Sequence, residues 1–401
     1  MRRGERRPRP ARLDDHERRE RDLRARGPAR GHRSGCRARR PRDLSARRLR
    51  HRALDVPAGE RGPPADRARQ SSVSALDLDA ILDLWRLPRP RAYSPTEGGY
   101  QNITRFVSCA AGEYVLRVYT NVADAGQQRF EHELLRRLAG AGLSFEVPRP
   151  LASDDGDTLR TVDGRLAALF ARIGGDPLPK DGGAYLSVAA AALAELDAAM
   201  GELPGFDHHP PAFDGDPSRM HPLVTDLEEA ARDEAFRLER SDDLADALIF
   251  ATELAAPAYK SLPKQVTYGD FAFGNTLVRD GRIAGLLDFE HSGIDVRAMD
   301  LAVALYRFPA HADALGECDR FGRAYSAVLR LDPSELAAVP ALLRLRAAIS
   351  FAHWVGRFRA GLATPDDVRP RAGRALFTSA WVDANGEALV RNALSWIGER
   401  V

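Results

Sequence analysis

The sequence predicts an α+β protein of two lobes: a small β-rich lobe carrying one helix, then a larger and mainly helical lobe. Three observations predict it. Residues 103–119 and 157–170 read as short strands broken by glycine turns, and one strongly periodic helix covers residues 127–140 between them. Residues 183–200, 224–256, 311–330, 334–359 and 373–398 are helical by period and composition. The one β-rich stretch in that second half, residues 266–290, gathers Asp270, Asn275, Asp288 and Glu290.

With 401 residues the chain is long enough for two lobes with real cores. Cys36, Cys109 and Cys318 have no metal-ligand spacing and suggest no disulfide framework, so a reducing, cytoplasmic setting is expected. No uninterrupted apolar run reaches 18 residues, and the N-terminus carries no apolar leader; a membrane span is not expected. The net charge of +2 hides an asymmetry. Residues 1–70 hold 24 Arg, no Lys and 10 acidic residues, a charge of +14 that leaves −12 for the remainder. Only Lys180, Lys260 and Lys264 are lysine.

Residues 1–72 are rich in Arg, Pro and Gly and lack a sustained apolar period, so they are expected to form a disordered arm. A dispensable tail, an upstream start codon, a transit sequence, and an arm for nucleic acid or anionic membrane all stay open. No other nucleic-acid contact and no membrane partner is expected.

Residues 73–173 are expected to form the first lobe. A short amphipathic helix near residues 74–85 ends at Pro88 and Pro90. Gly98 and Gly99 allow a tight turn ahead of a hairpin whose strands cover 103–108 and 114–119, an arrangement suited to covering phosphates. On the helix over 127–140, Phe130, Leu134, Leu135 and Leu138 form the buried stripe, and Glu131 lies close to it. Asp163-Gly164 is a turn between two further strands. Gly174 to Pro177 punctuate the chain and mark the boundary with the second lobe, residues 174–401. Residues 170–173, with Phe170 and Arg172 among them, would line the interlobe cleft and offer backbone groups to an adenine edge.

Residues 276–278 and 283–287 are strand-prone and flank the turn pair Asp280-Gly281. Folding this hairpin back brings Asn275 near Asp288, with Asp270 on the turn that feeds the first strand. A neutral carbonyl oxygen and a carboxylate suit a hard divalent cation such as Mg2+. A second carboxylate can take the proton of an attacking hydroxyl. The residues therefore read as an ATP-using kinase site with Asp270 as base and Asn275 and Asp288 as metal ligands. Glu290 would share a strand face with Asp288 if the extended geometry persisted. Tyr268, Phe271 and Phe273 read either as core anchors or as the lining of a substrate pocket.

The stretch Tyr268-Gly269-Asp270 to Asn275, then Asp288-Phe289-Glu290, resembles the catalytic and metal-binding segments of the aminoglycoside phosphotransferase superfamily. The likeness runs from about residue 93 to 360 and takes in EGG-x2-N (97–102), YVLRVY (114–119), FEHELLRRL (130–138), VPRPL (147–151) and GRLAALFARIGG (164–175). These upstream pieces are most similar to the homoserine kinase branch outside the GHMP-type enzymes. The resemblance implies a bilobal protein-kinase-like fold and transfer from ATP to the hydroxyl of a small molecule, homoserine or another amino alcohol. It assigns Asp270 as the catalytic aspartate, Asn275 and Asp288 as metal ligands, and Asp300 as a structural aspartate. Two positions depart from the family. Tyr268 replaces a histidine, and Arg117 stands where a phosphate-binding lysine is usual, within reach of Glu131 for a forked pair. These departures favour a nucleotide-binding scaffold or regulatory pseudokinase as one alternative; a protein kinase of the same fold is another.

Overall fold

The computed structural model describes residues 76–96, 102–119, 125–179, 182–207 and 215–398. The expected arm over 1–72 and the turn glycines Gly98 and Gly99 lie outside these residues.

The chain opens with α1 (Leu78–Asp83), capped by the Asp77 side chain, which accepts from Ala80 N. Strands β1 (Ala92–Pro95), β2 (Ile103–Cys109) and β3 (Gly112–Val118) lead to helix α2 (Gly126–Leu138), then β4 (Arg160–Val162) and β5 (Arg165–Ala171). All pairings are antiparallel and the spatial order is β1-β2-β3-β5-β4. The sheet is covered on both faces. Ile81, Leu82 and Trp85 from α1 pack with Val107, Leu116, Val118, Ala167 and Leu169 on one side. Phe130, Leu134 and Leu135 of α2 belong with Ala168 and Phe170 to the other cluster. Both parities of β3 and β5 are therefore apolar, which explains why strict alternation fails in the sequence there. Arg117 sits between Leu116 and Val118 and so points to the α2 side.

The second half begins with β6 (Asp176–Pro177) and α3 (Leu186–Gly201), followed by α4 (Leu227–Ala231) and α5 (Ser241–Ser261). Strands β7 (Lys264–Thr267), β8 (Thr276–Arg279), β9 (Arg282–Leu286) and β10 (Gly293–Val296) form the expected β insert. Asp280 and Gly281 both have positive φ, the turn chemistry a tight β8–β9 hairpin demands. The antiparallel pair β7–β10 was not anticipated; it brackets the hairpin and pairs Thr267 with Gly293. Helices α6 (Ala298–Leu305), α7 (Ala314–Ser326), α8 (Pro333–Arg359) and α9 (Pro365–Trp396) complete the chain.

Two helical stretches, residues 183–201 and 333–359, are long and apolar enough by length and composition to cross a membrane. About half of each is buried inside the fold: Leu193 and Leu196 of α3, and Leu342 and Leu345 of α8, sit in the main core.

Candidate active site

Strand β7 ends at Thr267, and the next two residues are held from behind. The Tyr268 and Gly269 amides both donate to the Asp300 carboxylate at 2.6 Å, and Ser292 Oγ donates to the Tyr268 carbonyl at 3.1 Å. Gly269 has a φ of +79°, and a Cβ there would meet the His291 carbonyl oxygen at 2.6 Å, so only glycine fits. Asp300 is fully buried at the start of α6, which raises its pKa; the amide donors oppose the shift. Beside it Asp197 of α3 is also fully buried, and its pKa is pushed well above the carboxylate range by burial and by Asp300. Asp197 accepts from Tyr325 Oη at 2.6 Å.

Held this way, the loop presents the Asp270 side chain. One carboxylate oxygen accepts from Arg346 of α8 at 3.2 Å, the other from Asn275 Nδ2 at 3.4 Å. Asn275 ends a short 3-10 turn, Phe273–Asn275, and its Nδ2 also reaches the Asp270 carbonyl at 3.2 Å. The Leu287 amide donates to the Asn275 carbonyl at 2.8 Å, which seats Asp288 beside Asn275. Residues 270, 275 and 288 are therefore brought together.

Asp288 has a φ of +64° and follows the end of β9, so the extended geometry stops before it. That corrects the expectation for Glu290. It shares no strand face with Asp288 and instead accepts from Asn102 Nδ2 at 3.0 Å, across 188 residues of chain. Gln127 of α2 donates to the Glu290 carbonyl at 2.8 Å.

Arg117 joins the two halves of the site. One guanidinium nitrogen lies 3.3 Å from Glu131 on α2 and another 3.4 Å from Asp288. Burial raises the Glu131 pKa to about 7 against the pull of Arg117, with Asp288 and Glu290 adding to the rise. Burial and the nearby Glu290 likewise raise Asp288 to about 6. These acids crowd around one arginine, and a further positive charge would relieve them.

Phe170 is buried, with the Arg117 guanidinium 5.7 Å from its ring centre and His132 packed edge-on. Arg172 is placed differently from expectation. Its amide donates to the Glu113 carbonyl at 3.2 Å, while its guanidinium pairs with Glu113 at 3.1 Å and covers the Phe106 ring. Its N–H is thus already committed within the sheet.

Tyr268, Phe271 and Phe273 are core residues, not pocket lining; all three are buried, and Phe271 and Phe273 pack edge-to-face. Tyr268 stacks on Phe289 at 4.8 Å and donates its hydroxyl to the Leu287 carbonyl, tying the Asp270 loop to the residue before Asp288. Phenylalanine at 268 keeps the ring packing and leaves that carbonyl unpaired. Tyr268→Phe should cost about 1–2 kcal/mol of stability, read as a lower denaturant midpoint at unchanged m-value.

The donors present fit a small hard cation. Asn275 turns its Nδ2 toward Asp270, so its side-chain oxygen is not the atom used in that contact. Among the described residues no group of three or more His, Cys, Asp or Glu is placed to hold a metal alone. One carboxylate and one amide oxygen are the sparse set that Mg2+ accepts when phosphates and water complete its shell.

Arg346, Arg307, Asn102, Gln127 and Asp197 had no role in the sequence reading. Asn102 stood within the EGG-x2-N run; the others belong to no local pattern.

Known proteins of similar sequence and fold are phosphotransferases. Homoserine kinase from Methylorubrum populi is 28% identical over 282 residues, 68% of this chain and 83% of that protein. Homoserine kinase from Rhizobium meliloti is 30% identical over 272 residues, 67% and 80%. Among solved structures, a microcompartment-associated aminopropanol kinase matches with a TM-score of 0.63 at 16% identity, covering 81% of this chain and 99% of that one. Amicoumacin kinase hAmiN, in complex with AMP-PNP, Ca2+ and Ami, matches at 0.57 and 15% identity, covering 77% and 95%. These likenesses show the bilobal kinase-like fold. The phosphotransferase enzyme family matches residues 92–339, more than half of the sequence, and the chain belongs to that family.

Proposed function

We propose that this phosphotransferase moves the γ-phosphoryl group of ATP to the hydroxyl of a small molecule, with homoserine or another amino alcohol as the acceptor class. The single observation that carries the reading is the convergence of Asp270, Asn275 and Asp288, joined by a 3.4 Å side-chain contact and a 2.8 Å backbone bond. Asp270 takes the acceptor's proton as its oxygen bonds to phosphorus and the bond from phosphorus to the departing ADP oxygen breaks. Asn275 and Asp288 hold a divalent ion, taken as Mg2+, which when bound neutralises phosphate charge. Arg117, oriented by Glu131, faces the nucleotide phosphates, a role that Gly98 and Gly99, outside the described residues, are proposed to share. Phe170 closes the back of the nucleotide site. Residues 73–173 and 174–401 are the two lobes of this scheme.

The homoserine kinase relatives support the acceptor class, and the aminopropanol kinase neighbour keeps amino alcohols lacking a carboxylate in play. The purified chain is expected to consume ATP with homoserine or an amino alcohol, to stop on chelation of divalent ions, and to recover on adding Mg2+. Nucleotide binding without transfer to any hydroxyl compound would replace this scheme with a binding scaffold, the reading that Arg117 and Tyr268 favour.

A further inference from the structure

The side of Asp270 away from Asn275 is basic, although the chain beyond its N-terminal arm is acidic overall. Three guanidinium groups from separate elements meet there. Arg346 of α8 pairs with Asp270 at 3.2 Å, and Arg307, just past α6, donates to the carbonyl of the next residue, Phe271, at 3.1 Å. Arg374 of α9 lies 4.8 Å over the Tyr306 ring and donates to the carbonyls of Tyr306 and Arg307. Burial raises the pKa of Tyr306, and Arg374, Arg346 and Arg307 all oppose that rise.

Their pairing is incomplete in the same way. In each of Arg307, Arg346 and Arg374 the Nε–H is buried without a hydrogen-bond partner. Among the described residues, the only carboxylate that pairs with any of them is Asp270, and Arg307 and Arg374 pair with none. Asp270 pairs with Arg346, and the buried Asp300 also acts on Arg346, but the three Nε–H donors have no acceptor, and a ligand that supplied acceptors would satisfy them. Planar guanidinium edges of this kind match the two oxygens of a carboxylate.

We infer that the acceptor carries a carboxylate, held by Arg346, Arg374 and Arg307 a short distance from the hydroxyl that Asp270 deprotonates. This rests on the transfer reading above and narrows it: a hydroxy or amino acid is preferred to an amino alcohol without a carboxylate, and polycationic acceptors are disfavoured. Arg346 has a double task. It neutralises Asp270 in the ligand-free chain and turns part of its fork to the acceptor's carboxylate when that arrives.

The test compares the full chain on L-homoserine and 3-aminopropan-1-ol, which has the same amine and hydroxyl with hydrogen in place of the carboxylate. The ratio of kcat/KM should favour homoserine by about 100-fold or more, because losing the carboxylate strands buried donors. L-2-aminobutanoate, which lacks the hydroxyl, should compete with homoserine, while propylamine and inorganic phosphate at equal concentration should not. Arg374→Gln should raise the KM for homoserine and shrink the homoserine preference by about tenfold or more, with Arg374→Lys restoring part of it. Equal or better use of 3-aminopropan-1-ol, or competition by propylamine as strong as by aminobutanoate, overturns the inference. Binding of aminobutanoate can also be followed by calorimetry, with no turnover needed. If it binds the wild type, and weakens in Arg374→Gln, while no acceptor is phosphorylated, the subsite stands and the transfer scheme fails. If neither binding nor turnover responds to the carboxylate, the subsite itself is refuted.

Discussion

Asp270→Asn is expected to lower kcat by about a thousandfold while leaving nucleotide affinity within a few-fold of the parent, the range a positioned general base contributes. The amide is nearly isosteric; its one oxygen can still accept from Arg346 as in the 3.2 Å contact, while its NH2 would face the Asn275 Nδ2 donor, so the long 3.4 Å contact is lost. It cannot take a proton from an acceptor hydroxyl. The backbone of the loop is fixed from behind by Asp300 and does not depend on the Asp270 side chain. Loss of turnover without loss of fold is therefore the result to look for, with kcat from a coupled ATP assay and nucleotide Kd measured separately. A kcat within tenfold of the parent would remove Asp270 from the proton-transfer role.

Asp300→Ala should be the most damaging single change to the scaffold, costing about 3–5 kcal/mol and dropping kcat as well. The carboxylate accepts two amide hydrogens at 2.6 Å, both in the loop that carries Asp270, and it is fully buried. Alanine strands both donors and leaves a void beside the buried Asp197. Asp300→Asn should cost less. Its carbonyl oxygen can serve one amide, and its NH2 group can donate to Asp197. Chemical denaturation of the three proteins, with far-UV circular dichroism to confirm folding, gives the ranking. Equal stability of Ala and Asn variants would show that the amide contacts do not support the loop.

What could be read from the sequence was whatever the chain keeps close together. Asp270, Asn275 and Asp288 fall within 19 residues and are joined by one tight hairpin, so spacing and turn chemistry suffice to bring them together. The Arg117–Glu131 pair spans 14 residues and needed the strand and helix to be assigned first. The acceptor side obeys no such rule. Arg346 lies 76 residues beyond Asp270, and Arg374 is further still, on a helix whose apolar period says where it packs but not what its polar edge meets. The same holds for Asn102 and Glu290, where a single residue of left-handed backbone at Asp288 redirects everything after it. A local period carries no warning of that turn. Arg172 illustrates the opposite limit: a residue correctly placed at a strand end can still have its amide consumed by a neighbouring strand.

The arginine at position 117 is more than a substitute for a shorter cation. An ammonium is one compact centre, whereas a guanidinium has separate edges that can be occupied at once. With one edge on the helix acid and the other on the hairpin acid, the ligand-free chain already holds its two halves together electrostatically. A triphosphate entering the cleft meets an internal rival for that cation, so its apparent affinity reflects the difference between two anions competing for the same partner.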